Sequence, residues 1–201
     1  IPEPLTSYRV YGWKKLLTRQ MDEENILQHL QIVDKNLVGW RGDAQEKQRL
    51  RAGAERTATV LAALAAYQLG DTTVGQKYLR RAIQADAELA KPAGLLWLVV
   101  DRAKMIETDS GSYDEALAFI RRMLEGLPEE LARVRPSFRR AAGWLYISGA
   151  FQEYERGNLP AVRSLLRRGL VAAPGALRNR GVLSMLRKSM LARSQPHEVQ
   201  G

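Results

Sequence analysis

The chain has no cysteine, only two histidines and no long uncharged apolar run. The lack of cysteine excludes disulfides, thiolate nucleophiles and thiolate-held metals. His29 falls in an amphipathic helical pattern and His197 near the end of the sequence, so nothing pairs them into a metal site or a catalytic triad. No segment reaches the roughly 18 apolar residues of a membrane span. We therefore expect no catalytic residue, no cofactor and no metal in this chain.

Strand patterns are absent as well. The β-branched residues are scattered singly and never alternate with polar residues over a strand's length, which disfavours a sheet. Alanine, leucine and arginine dominate instead, and all three are strong helix formers. With 201 residues, 45% of them hydrophobic, the chain can bury a substantial core in one large domain or two small ones. We predict an all-α protein.

Three glycine-centred breaks divide the predicted helices into pairs, and Thr72, Ser112 and Asn158 can cap the helices that follow them. These breaks are Gly70-Asp71, Gly111-Ser112 and Gly157-Asn158. The residues five and twelve positions past each glycine are mostly small: Gly75, Ala116 and Val162, then Ala82, Met123 and Gly169. Such offsets resemble the tetratricopeptide repeat, in which small residues let paired helices touch. The units here are longer than usual, and only their second helices match well.

The predicted fold follows from these breaks. Residues 21–193 are expected to form antiparallel helix pairs, stacked as a degenerate tetratricopeptide-like right-handed superhelix. Residues 1–20 would be an irregular lead-in, and residues 194–201 a flexible tail. A generic helical bundle is the alternative. Further helices are expected to begin at Pro92 and Pro136, and a last one to run from about Ala176 to Ala192.

In such a stack the first helices of the pairs line a concave face. The repeat register places six candidate partner-binding residues there: Tyr67, Asp101, Met105, Trp144, Phe151 and Tyr154. Aromatic and aliphatic side chains in a groove suit an extended or helical peptide. The alternative is that several of them pack against flanking helices in a closed bundle. Trp97 and Trp144 lie inside predicted helices, and for both a place in the core is expected, which for Trp144 is the alternative to the groove.

The positive charge is concentrated in the C-terminal half. The formal net charge is +9, and from Arg133 to Arg193 there are thirteen Lys and Arg residues against two acidic ones. The candidate basic surface consists of Arg167, Arg168, Arg180, Arg187 and Lys188. It could meet nucleic acid, an anionic membrane or an acidic partner, or could simply be a solvated surface. Nucleic acid is disfavoured, because the arginines come in helical doublets that are common on exposed faces.

The last helix has two interpretations. Its apolar residues are expected to share one broad face from which the cations are excluded; these are Val182, Leu183, Leu186 and Met190. Such a helix could lie on a membrane surface. It could equally cap a repeat stack, with its apolar face on the preceding repeat.

One short segment resembles a known enzyme family. Residues Pro4 to Tyr11 read Pro-Leu-Thr-Ser-Tyr-Arg-Val-Tyr. They resemble the segment that closes the catalytic domain of many family-2 glycosyltransferases, often Pro-Leu-x-x-Tyr-Arg-x-His, with Tyr11 in the histidine's place. Some bacterial members of that family continue into helical, repeat-like C-terminal regions.

The resemblance implies that residues 1–20 end an upstream catalytic domain that transfers sugar from a nucleotide donor. The nucleotide-sugar site and its aspartate motif would lie upstream, and this chain would be a non-catalytic interaction domain. A protein or peptide partner is expected, with an anionic membrane surface or a polyanionic glycan as a further partner. The expected location is cytoplasmic, with a peripheral position at the inner membrane surface as the alternative. The alternative is a free-standing tetratricopeptide-like adaptor for proteins.

Overall fold

The computed structural model of the chain describes residues 23–191. The predicted lead-in 1–20, with Pro4–Tyr11, and the predicted tail 194–201 therefore lie outside the described residues. Within 23–191 the backbone forms α-helices and short 3₁₀ helices and no strand, which confirms the all-α prediction. The α-helices are α1 (Glu23–Val38), α2 (Ala44–Leu69), α3 (Thr72–Ala85), α4 (Pro92–Ser110), α5 (Tyr113–Glu125), α6 (Phe138–Glu155), α7 (Leu159–Ala172) and α8 (Arg180–Leu191).

The three predicted glycine breaks are the turns between paired helices. Gly70, Gly111 and Gly157 have φ values of 91°, 71° and 74°, a left-handed conformation that favours glycine. The residue directly after each glycine caps the second helix of the pair, so Asp71 and not the predicted Thr72 caps α3. For example, the Asp71 side chain accepts a hydrogen bond from the Val74 amide at 3.0 Å. Turns this short make the paired helices antiparallel.

A short 3₁₀ helix follows each second helix. These three segments are Ala87–Ala90, Glu129–Val134 and Pro174–Arg178. The order of helix, glycine turn, helix and 3₁₀ helix thus occurs three times, and α8 follows the third occurrence. The predicted arrangement of consecutive helix pairs is confirmed.

The described chain forms two compact units. The first contains residues 23–91 together with 126–132, and in it α2 packs against both α1 and α3. Its core is rich in alanine, with Ala58, Ala62 and Ala63 fully buried. The predicted small position Gly75 lies against the Tyr67 ring, since a Cβ there would be 2.9 Å from that ring. The missing side chain on α3 therefore makes room for a large one on α2.

The second unit contains residues 92–125 and 133–191. In it α4 packs against α5 and α6, while α6 also packs against α5, α7 and α8. Helices α6 and α7 approach each other closely, since a Cβ on Gly169 would be 3.0 Å from the Gly143 carbonyl oxygen and 2.6 Å from Ile147 Cγ1. Buried aliphatic residues complete this core: Ile147, Val162, Leu166, Val182 and Met185.

Two helices begin a few residues later than predicted, because in each case the polar residue that caps the helix lies further along the chain. Pro136 precedes α6, whose N-cap is Ser137; its hydroxyl accepts a hydrogen bond from the Arg140 amide at 3.2 Å. The last α-helix begins at Arg180 rather than near Ala176. Asn179 sets that start, because its Oδ1 accepts from the amides of Gly181 at 2.8 Å and Val182 at 3.3 Å.

Candidate functional site

Tyr67 does not line a surface groove, contrary to the sequence prediction. Its side chain is 0% exposed, and its hydroxyl donates a hydrogen bond to the Gly126 carbonyl oxygen at 2.9 Å. Burial raises the pKa of this hydroxyl to about 12, while the positive charge of Arg80 lowers it in part. Tyr67 is therefore a structural residue of the first unit.

The second unit does expose large side chains on its first helices. Trp97, Asp101 and Met105 follow one another at intervals of four along α4, and all three are exposed. On the neighbouring helix α6, Phe151 is exposed and Trp144 is half-buried. The rings of Trp97 and Trp144 meet edge to face, with 5.1 Å between centroids, and so join the two helices. We call these five residues the first-helix face.

Sequence reasoning missed Trp97 and placed it in the core. The structure leaves it 41% exposed, comparable to Met105 at 43% and Phe151 at 36%. The spacing of four residues from Trp97 to Asp101 was the available signal, since residues at that interval share a helix face. Three large apolar side chains are therefore exposed on two packed helices of one unit.

Asp101 supplies the negative charge of this face. Partial burial raises the pKa of its carboxyl above the ordinary value, because a desolvated carboxylate is less stable than a hydrated one. A cation brought next to Asp101 would stabilise the charged form. The first-helix face therefore offers apolar contacts with one anionic group among them.

Tyr154, the sixth predicted residue, lies beside this face rather than on it. Its ring is half-buried against the core of the second unit. The Lys188 Nζ lies 5.9 Å from the centre of that ring, so α8 partly covers it. Phe151 lies close to α8 too, because a Cβ on Gly181 would be 3.3 Å from its ring.

The five predicted basic residues are all exposed and belong to two helices. Arg167 and Arg168 are on α7, and Arg180, Arg187 and Lys188 are on α8. The guanidinium of Arg168 lies 5.8 Å from the centre of the Tyr146 ring, so this cation also packs on an aromatic face. Arg180, Arg187 and Lys188 extend the positive surface along α8.

The predicted single apolar face of the last helix is wrong. Val182 is fully buried and Leu186 is half-buried, but Leu183 is 46% exposed and Met190 is 61% exposed. Helical periodicity explains why some apolar residues of α8 are buried and others exposed, because Val182, Met185 and Ser189 already occupy the inward side. Leu183 and Met190 lie on the outward side, where the sequence interpretation placed only cations.

A second aromatic cluster lies among charged groups inside the second unit. The rings of Tyr113 and Tyr146 stack with 5.2 Å between centroids, and the Lys104 Nζ is 5.9 Å from the Tyr113 ring. Lys104 also forms an ion pair with Glu107. Burial, with the negative charge of Glu107, raises the pKa of the Tyr113 hydroxyl. The close fit of Tyr113 against Gly149 indicates that this cluster joins α5 to α6.

Comparisons with known proteins assign no family to the chain. No family model, curated protein or solved structure matches it. Among the described residues there is no cluster of three potential metal ligands, and none of their helices is long and apolar enough to cross a membrane. The candidate binding surfaces are therefore the first-helix face and the outward side of α8.

Proposed function

We propose that this chain is a non-catalytic interaction domain that binds an extended peptide on the first-helix face. The observation that carries the proposal is the exposure of Trp97, Met105 and Phe151 on two packed helices of one unit. Tryptophan in particular is enriched among the residues that dominate binding energy.

The charge on this face defines the peptide. Asp101 lies one helical turn from both Trp97 and Met105, so a bound segment would place a basic side chain between two apolar ones. Pairing with a cation would offset the partial desolvation of the Asp101 carboxylate. We therefore propose a partner segment in which a lysine or arginine is flanked by aliphatic or aromatic residues.

A random-peptide display selection against the 201-residue chain tests this proposal. Peptides with a basic residue between apolar ones should be enriched, and their affinity can be measured by fluorescence anisotropy. Asp101→Asn should weaken binding roughly tenfold, as expected for loss of a partly desolvated charge pair. Asp114→Asn, a change of the same type at an exposed position on α5, should have no effect.

Trp97→Gln should abolish measurable binding of the same peptides, because it removes the largest apolar contact of the face. Enriched peptides without a basic residue would contradict the role of Asp101. Binding that is indifferent to Trp97→Gln would place the site elsewhere and overturn the proposal.

We further propose that the domain belongs to a bacterial family-2 glycosyltransferase and positions that enzyme or its acceptor. The support is the resemblance of Pro4–Tyr11 to the end of that catalytic domain. Sequencing the gene upstream of Ile1 tests it. An aspartate-containing nucleotide-sugar domain would support this origin, whereas a start codon next to Ile1 would favour the free-standing adaptor.

A further inference from the structure

Four side chains form a single outward stripe along α8. Arg180, Leu183, Arg187 and Met190 are spaced by three, four and three residues, which places them on one side of a helix. All four are exposed. The opposite side of α8 is fixed in the core of the second unit by Val182 and Met185. The fold thus presents two cations and two apolar side chains outward in alternation, and we call them the α8 stripe.

The charged residues in the sequence around the stripe are all basic. From Arg156 to Leu191 there are eight Lys and Arg residues and no Asp or Glu. This segment thus supplies most of the chain's formal net charge of +9. No carboxylate within it can neutralise the stripe, so the surface attracts anions.

Arg180 lies at a position where a positive charge destabilises the helix. It is the first residue of α8, and the N-terminal end of a helix carries a partial positive charge. Arg187, by contrast, lies in the second half of the helix. An anionic partner would offset the repulsion at Arg180, which helix formation alone leaves uncompensated.

The apolar half of the stripe identifies the kind of anion. Leu183 and Met190 are 46% and 61% exposed, and the phosphates of a nucleic acid or the charged groups of a glycan would give them nothing to be buried against. A phospholipid surface offers anionic headgroups and an acyl boundary together. A second copy of this chain would bring like charges together. We propose that the α8 stripe docks the domain on an anionic phospholipid membrane.

Vesicle co-sedimentation of the 201-residue chain tests the proposal. The chain should bind phosphatidylcholine vesicles that contain about 30% phosphatidylglycerol, and should not bind pure phosphatidylcholine. The binding should weaken as salt is raised, because salt screens the attraction between exposed charges.

Two double variants test the two halves of the stripe. Arg180→Gln with Arg187→Gln should weaken vesicle binding roughly 25-fold, since each cation near an anionic surface contributes about a fivefold factor. Leu183→Gln with Met190→Gln should weaken it by roughly fivefold or more, through loss of apolar burial. Glutamine has nearly the same helix propensity as the residues it replaces, so circular dichroism should be unchanged.

The matched control is Arg41→Gln with Arg49→Gln. It changes the net charge equally at two exposed positions of the first unit, and should alter binding far less. An equal loss in this control would show that net charge alone drives binding and would overturn the α8 stripe as the site. Absence of binding that depends on phosphatidylglycerol would overturn the proposal altogether.

Other occupants give different results. If heparin or duplex DNA binds as tightly as the vesicles, and the Leu183 and Met190 changes have no effect, the partner is a polyanion rather than a membrane. If light scattering shows a dimer that those changes abolish, the partner is a second copy. Either result would overturn membrane docking. Trp97→Gln should leave vesicle binding intact, so this proposal and the peptide proposal can fail separately.

Discussion

Gly169→Ala measures how much of the second unit's stability depends on the contact between α6 and α7. In an exposed helix the change would stabilise the protein by about 1 kcal/mol, because alanine favours helix formation more than glycine. Here the added Cβ would lie 2.6 Å from Ile147 Cγ1 and 3.0 Å from the Gly143 carbonyl oxygen. Ile147 is 0% exposed, and the second contact is backbone, so neither neighbour moves easily.

Overpacking of this kind costs typically 1–3 kcal/mol, and two contacts with fixed atoms favour the upper half of that range. After the propensity gain is subtracted, we expect the variant to be less stable by about 1–2 kcal/mol, which lowers Tm by roughly 3–6 °C in a chain of this size. Thermal unfolding followed by circular dichroism measures the shift.

Gly53→Ala is the matched control for this variant. Gly53 lies inside α2, and a Cβ there would have nothing within 4 Å. The same substitution should therefore raise the stability by roughly 0.5–1 kcal/mol. Opposite signs for the two variants would confirm the close helix contact. A Tm for Gly169→Ala at or above that of the wild type would refute the reasoning.

Two further substitutions test a buried hydroxyl and a turn. Tyr67→Phe removes the hydrogen bond to Gly126 and should lower the stability at neutral pH by about 1 kcal/mol. The folded-state pKa of Tyr67, about 12, lies above its unfolded value of 10.0, so its contribution is complete below pH 10.0 and lost as pH rises towards 12. The stability gap between wild type and Tyr67→Phe, from urea unfolding, should then close at alkaline pH; a constant gap would contradict the shift. Gly157→Ala should lower the free energy of unfolding by about 1 kcal/mol in the same assay, because the φ of 74° at Gly157 disfavours alanine. Gly39→Ala is the control and should cost little, because φ is not positive there and a Cβ has open space. Equal effects of the two substitutions would count against the turn geometry.

The helix pairs could be predicted because their signals are local. A glycine, a capping side chain and a small residue at a fixed offset all act within one or two helical turns. Gly157 with Asn158 shows this, since both the left-handed turn and the cap at Ala161 follow from adjacent residues. The start of α8 is also set by a local signal, the capping side chain of Asn179. The prediction was wrong because it placed the start earlier, among small residues that cap less strongly.

The positions of the site residues were harder to predict, because they depend on contacts between distant residues. The repeat register placed Tyr67 on a groove, yet its hydroxyl bonds to Gly126, 59 residues away, and its ring packs on Gly75. No local pattern indicates that pairing. Trp97 was wrongly predicted to be buried, because it lies inside a helix, whereas the structure exposes it in the same row of α4 as Asp101 and Met105.

The outward side of α8 carries apolar side chains that contribute no contact to the core of the second unit. In α8 the inward side is complete with Val182 and Met185, yet Leu183 and Met190 are exposed between cations. Replacing both with glutamine would keep the helix propensity and remove exposed apolar surface, so the fold gains nothing evident from them. Their presence is better explained by a contact made outside the fold, and the vesicle assay asks which surface makes it.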